Sequence, residues 1–375
     1  MITALCDATI FTSEAMVEGH ALLIKDGKIL DIVANRKAPA DTNKKSYPEH
    51  ILAPGFIDAQ VNGGANILFN NTPTGEACVA IAKAHQTFGT TRLLPTFITD
   101  RPEITAQAIA AMRTARKTCK NILGIHIEGP HLGLERRGVH KADYIRGITQ
   151  SDLQLYHHPA DEVMLMTVAP ECVPPDQIKI LRQQDIIISL GHTSATPDQI
   201  RGALKAGATG FTHLFNGMGK PGGETVTPAD TALGDPGSWC GIIIDGFHVS
   251  PELVSRALTA KPPGKLFLVS DAMPPAASDK PQTFKLYDET VRVEKGRCVN
   301  NEGKLAGSSI TISDAVQNCV KLGIAIEEVL RMASSYPAAF LGLDNRLGKL
   351  LPGYEADVVV LNHSFVPQAA FVAGA

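Results

Sequence analysis

Between residues 51 and 271 the chain alternates short apolar runs with amphipathic stretches, and this rhythm leaves little choice of architecture. The runs are 51–60 (ILAPGFIDAQ), 92–98 (RLLPTFI), 122–128 (ILGIHIE), 163–169 (VMLMTVA), 186–191 (IIISLG), 209–213 (TGFTH), 240–246 (CGIIIDG) and 265–271 (KLFLVSD). Between them lie helical patterns such as TGEACVAIAKAHQTFG, TAQAIAAMRTARKT and TPDQIRGALKAGA, with apolar residues recurring at intervals of three and four. Near-continuous apolar strands belong to a parallel sheet covered on both faces, and the intervening helices supply the crossovers. Eight such units predict an α/β fold, a (β/α)8 TIM-like barrel. A doubly wound sheet is the alternative, but no G-x-G-x-x-G opens a helix.

The two ends read differently. ALLIKDGKILDIV places Asp26-Gly27 between two β-branched apolar runs, a hairpin signal, and the last residues carry a Pro-Gly turn at 352–353 followed by DVVVL. Residues 1–53 plus 346–375 are therefore expected to form one small β-sandwich domain built from both termini, leaving 54–345 as the barrel. The stretch 284–307 (FKLYDETVRVEKGRCVNNEGKLAG) alternates apolar and polar residues around turn formers and predicts a β-hairpin inserted after the eighth strand.

Composition narrows the function. A formal net charge of −3 gives no reason to expect nucleic acid or an anionic membrane as partner. No apolar run approaches the ~20 residues of a membrane span, and the N-terminus carries no basic segment followed by an apolar core. The seven cysteines are scattered and contain no C-x-x-C, so a reducing cytoplasm fits better than a disulfide framework or a cysteine zinc cluster.

In a (β/α)8 barrel the active site lies at the C-terminal ends of the strands. The third expected strand ends in Glu128, the fifth runs into His192, the sixth ends in His213 and the eighth in Asp271; the seventh leads to Asp245 and His248. One carboxylate and two imidazoles can meet above the barrel axis and leave an open position for water, the catalytic zinc pattern. Asp271 would stand beside that water as the catalytic acid/base. Glu128, His192 and His213 are thus the expected ligands of one divalent metal ion, Zn²⁺ by donor type, with Fe²⁺, Co²⁺ or Mn²⁺ also accommodated. His126 points to the same side of its strand as Glu128 and is read as a packed residue.

The strings PGFID, GIHIEGPHL, LGHTSA, THLFNGM, GIIIDGFHV, LVSDAM and LAGSS occur in the order found in the N-acetylglucosamine-6-phosphate deacetylases of the amidohydrolase superfamily, and this resemblance covers essentially the whole chain. It implies a metal-dependent, homodimeric hydrolase that removes acetate from an N-acetylated amino-sugar phosphate. Glu128, His192 and His213 resemble the family's metal ligands and Asp271 its acid/base. His140 matches a histidine near the scissile amide, His248 one that binds the sugar, and Asn216 and Gly217 the loop that contributes substrate contacts. Related barrels carry His-x-His after PGFID. Here Gln60 and Asn62 stand there, poor zinc ligands that match a branch of the family using one metal. Strand four ends VAPE and carries no lysine to bridge a second ion.

There is one departure. The loop after HLFNGM usually carries an arginine that grips the phosphate, whereas GKPGGETVTPADTALGDPG has Lys220 as its cation. Gln60 and Lys220 complete the expected substrate contacts. The alternatives are a phosphate-free or isomeric N-acetyl hexosamine, another N-acyl substrate, cyclic-amide hydrolysis, or a catalytically silent scaffold.

Overall fold

The structure, a computed structural model, describes residues 1–279 and 283–375. Its largest sheet has eight parallel strands in chain order. They are Phe56–Val61, Thr90–Ile98, Gly124–Glu128, Val163–Val168, Ile187–Leu190, Gly210–Phe211, Trp239–Ile242 and Leu266–Leu268. The barrel closes just beyond the eighth strand, where Ala272 bridges Val61 in parallel and Asp271 N donates to Gln60 O at 3.0 Å. That closure draws Asp271 into the seam between first and last strands.

Helices Pro102–Arg116, Pro175–Gln183, Pro197–Lys205, Pro228–Gly234 and Pro251–Ala260 all open on proline. Proline is pre-set for the helical φ at a position whose N–H needs no intrahelical partner. Thr196, Thr227 and Thr311 close capping boxes that fix three helix starts, each threonine accepting from a backbone N–H three residues on. Because all eight strands run parallel, their C-terminal ends come out at one mouth, and the longer connections after the third, sixth and eighth strands lie over it.

The apolar run 51–60 is not one strand, as its composition suggests, but two. Ile51–Pro54 pairs with Thr9–Phe11 and Val358–Leu361 in a five-stranded terminal sheet, and the barrel begins at Phe56. Gly55 marks the break: a Cβ there would fall 2.2 Å from Thr91 Oγ1. A second, four-stranded sheet pairs Thr3–Cys6 with His20–Lys25 and Asn43–Ser46. Leu5 and Leu22 of this sheet share a core with Ile10, Leu52, Val358 and Val360 of the other, so the two termini make a sandwich. Arg92, at the base of the second barrel strand, ties the sandwich to the barrel. Its Nε and Nη2 donate to Asp357 at 2.5 and 3.1 Å, and Nη2 also meets Glu355 at 2.5 Å.

The insertion after the eighth strand is larger than the expected hairpin. Thr283–Leu286, Glu289–Glu294, Arg297–Val299 and Leu305–Ser308 form a four-stranded antiparallel sheet. It turns back three times, with left-handed residues at Tyr287, Lys295 and Gly303. Its apolar face (Leu286, Val291, Cys298, Ala306) packs with Ile98 and Met273 at the barrel mouth. Among the described residues no helix is long and apolar enough to cross a membrane.

Candidate active site

Glu128 ends the third strand, and His192 and His213 follow the fifth and sixth by two residues each. His192 Nε2 and His213 Nε2 approach Glu128 Oε1 to 3.1 and 2.9 Å, and the two ring nitrogens stand 3.0 Å apart. Ligand atoms around a tetrahedral ion with bonds of ~2.0 Å are about 3.3 Å from one another. The spacing and the donor chemistry, one carboxylate oxygen and two imidazole nitrogens, fit a single divalent cation. Ligand atoms of His140, Glu128 and His192 also fall within 4.8 Å of each other, a looser set. His140 is engaged elsewhere, its Nδ1 lying 2.8 Å from Thr99 Oγ1.

The backbone at these residues is unusual. His192, His213 and Asp271 all have positive φ, at 47°, 34° and 50°. A non-glycine residue held there costs of order 1–3 kcal/mol, and such strain gathers where side chains must point to one place. The neighbouring chain makes room: Gly217 has φ 63°, and a Cβ on it would stand 3.0 Å from His192 Nδ1. That nitrogen instead meets Arg136 O at 2.8 Å, which leaves Nε2 for the site.

Asp271 Oδ1 accepts from Asn62 Nδ2 at 2.6 Å and from Gln60 Nε2 at 3.1 Å. Gln60 Nε2 also lies 3.0 Å from Glu128 Oε2. The two amides that stand where related barrels place His-x-His thus hold the carboxylates in position. Beneath them Asp58 accepts from Ser270 Oγ at 2.5 Å and from the amides of Gln60 and Ser270, locking the seam on which Asp271 sits.

Electrostatics separates the two carboxylates. Burial works to raise Glu128, but hydrogen bonds from His192 and His213 outweigh it and hold the group well below its ordinary value. Asp271 is displaced the other way, pushed up by burial and by the Glu128 carboxylate. Burial and the nearby His192 push His140 down to about 3, so it is neutral at pH 7. An acceptor held ionised beside one that can carry a proton suits ligation and proton transfer respectively.

These side chains line a cavity of about 220 Å³ together with Asn62, Asn216, Gly217 and His248. Asp245 orients His248, whose Nδ1 lies 2.6 Å from Asp245 Oδ2. Two expected substrate contacts stand elsewhere. Gln60 is 1% exposed, behind the carboxylates rather than on the wall, because its amide is spent on Glu128 and Asp271. Lys220 is exposed on the loop after the sixth strand, outside the cavity lining. His126 is a packed residue, 2.7 Å from Thr167 Oγ1 in a polar layer that continues to Thr212 and Ser189. Thr99, Asp245 and Asn62, which orient His140, His248 and Asp271, carried no signal of those roles in the sequence.

Residues 51–375 match the amidohydrolase family and residues 3–46 the NagA composite domain. The chain is 38% identical over 372 residues to the N-acetylgalactosamine-6-phosphate deacetylase of Shewanella sp. (strain ANA-3), covering 98% of this chain and 94% of that protein. It is 32% identical over 367 residues to the N-acetylglucosamine-6-phosphate deacetylase of Haemophilus influenzae, covering 96% of each. The crystal structure of N-acetylglucosamine-6-phosphate deacetylase from Pasteurella multocida superposes with a TM-score of 0.96 at 33% identity, over 100% of this chain and 99% of that one. With its barrel, its terminal sheets and the meeting of Glu128, His192 and His213 at one mouth, the chain belongs to the amidohydrolase family, as a hydrolase of an amide C–N bond.

Proposed function

We propose that this chain is a metal-dependent deacetylase that hydrolyses N-acetylglucosamine 6-phosphate to glucosamine 6-phosphate and acetate. The observation that carries the reading is the approach of Glu128, His192 and His213 to within 3.1 Å of one another beside an anchored Asp271. A divalent ion held by those three residues, Zn²⁺ by donor type with Fe²⁺, Co²⁺ or Mn²⁺ as alternatives, would supply Lewis acidity toward the scissile carbonyl and the attacking water.

The rest of the work falls to the chain's own side chains. The Asp271 carboxylate takes a proton from water as the oxygen attacks the acetyl carbon, and Asn62 and Gln60 keep it aimed. His140, neutral and steadied by Thr99, donates from Nε2 to the oxyanion that develops, in the tautomer that leaves Nδ1 as acceptor. Asp271 then returns its proton to the sugar nitrogen. The C–N bond breaks, and acetate and the free amine result. His248 and Asn216, on the cavity wall, bind the sugar.

A second reading changes the sugar. The relative at 38% identity acts on N-acetylgalactosamine 6-phosphate, which differs in configuration at one ring carbon. Neither the metal set nor Asp271 distinguishes the two. We also infer a cytoplasmic location, supported by the mostly buried, scattered thiols, and a homodimer, which rests on the family resemblance alone.

The test is acetate release from both 6-phosphates and from the free sugars, with metal determined on the same sample. Preference for the glucosamine epimer supports the first reading and preference for the galactosamine epimer the second. No hydrolysis of either by metal-loaded protein would remove both.

A further inference from the structure

We propose that Arg136, with Lys220 beside it, is the anion clamp of this site and binds the 6-phosphate of the substrate; this rests on the sugar-phosphate reading above. The loop that resembles the family's phosphate-gripping element lacks its arginine, and among the described residues no lysine or arginine lines the cavity. A cation within reach strengthens the binding of a phosphate dianion, and the rim is where this chain offers one.

Most rim cations are already committed. Arg137 donates to His140 O at 2.8 Å, Lys141 pairs with Asp288 at 2.6 Å, and Arg256 pairs with Asp230 at 3.2 Å. The side chains of Arg136 and Lys220 have no hydrogen-bond or ion-pair partner among the described residues, and the adjoining acid Glu135 does not pair with Arg136.

Their placement is specific. Arg136 springs from the wall of the site, since its carbonyl receives His192 Nδ1 at 2.8 Å. Its guanidinium lies against the opposite loop, with Nη2 3.7 Å from where a Cβ on Gly219 would stand. Gly217, two residues earlier in that loop, lines the cavity, and Lys220 is the next residue. Arg136, from the loop after the third strand, thus lies against the loop after the sixth strand one residue from Lys220, at one edge of the mouth. An anion bound at that edge is attracted by the guanidinium and by the lysine alike. The acetamido and phosphate groups sit on opposite sides of a pyranose ring. An amide at Glu128, His192 and His213 therefore leaves the phosphate directed outward, toward the rim. Arg136 supplies the planar two-donor fork that the loop lacks, and Lys220 adds a point charge.

The experiment measures kcat/KM for N-acetylglucosamine 6-phosphate, its galactosamine epimer and both free sugars, in wild type, Arg136→Ala, Arg136→Lys and Lys220→Ala. Calorimetry of glucosamine 6-phosphate binding to each protein gives a readout independent of turnover. In Arg136→Ala the preference for phosphorylated over free sugar should fall about 10- to 100-fold, expressed in KM, with product affinity falling alike. Arg136→Lys should recover part of the loss, and Lys220→Ala should lose less. An unchanged preference and product affinity in Arg136→Ala would make Arg136 a solvated side chain and overturn the proposal. A wild type that hydrolyses free and phosphorylated sugars alike overturns the clamp but spares the deacetylase; one that hydrolyses none overturns both.

Discussion

His192 Nε2 and His213 Nε2 stand 3.0 Å apart, each within 3.1 Å of the same oxygen of Glu128. Two imidazole lone pairs facing each other at that distance repel unless a proton or a cation lies between them. Three such donors in contact, two of them on strained backbone, are arranged for an ion rather than for each other. Adding Zn²⁺ to chelator-treated protein should therefore raise its thermal midpoint by several degrees. The linkage is about 2.7 kcal/mol when free ion is a hundred times Kd. His213→Ala and Glu128→Gln should abolish most of the shift.

Asp271→Asn keeps an oxygen that can accept from Asn62 Nδ2, so the side chain stays in place, but it removes the proton acceptor. Turnover should drop by about 10²- to 10⁴-fold while metal content and thermal midpoint stay near wild type. Steady-state kinetics and elemental analysis on one preparation check both halves. Turnover near wild type would remove Asp271 from the reaction.

Arg92 is buried against Asp357, and both side chains are 5% exposed. Arg92→Met would strand a buried carboxylate at the joint between sandwich and barrel. The loss should be about 3–5 kcal/mol, read as a lower denaturant midpoint. Adding Asp357→Leu should recover much of it, because the unpaired charge is then gone.

Acid should weaken the fold through two histidines that take no part in the site. Burial pushes His85 and His131 each down to about 4. In the unfolded chain they take up protons near 6.5, whereas in the folded chain they stay neutral until about 4. The stability they contribute is therefore complete above about pH 6.5 and lost as pH falls toward 4. Each adds up to about 1.4 kcal/mol per pH unit across that window. The denaturant midpoint should fall from pH 6.5 to 4, and His131→Gln should flatten the slope. Equal slopes in the two proteins would contradict the assignment.

The barrel, and the meeting of four expected residues at its mouth, were legible because they are written locally. Each strand is an apolar run, and Glu128, His192, His213 and Asp271 end or follow such runs. What escaped was written across the fold. The run 51–60 is largely apolar, and only the pairing of Ile51–Pro54 with the terminal sheet and of Phe56–Val61 with the barrel shows that it serves two sheets. Gln60 and Asn62 read as lost ligands because their partner, Asp271, lies over 200 residues away and reaches them by barrel closure. The polar layer of His126, Thr167, Thr212 and Ser189 looks like noise within apolar strands until the interior brings its members together. Arg136 likewise resembles any surface arginine until Gly219 is seen against it.

The most direct test is anomalous diffraction at a metal absorption edge, from crystals of protein purified without chelator or soaked in Zn²⁺. A single metal centre predicts one peak within bonding distance, roughly 2.0–2.2 Å, of a Glu128 oxygen, His192 Nε2 and His213 Nε2, with a water beside Asp271. A map with no peak there after soaking in excess metal, or with a peak held by other residues in an active enzyme, would contradict it.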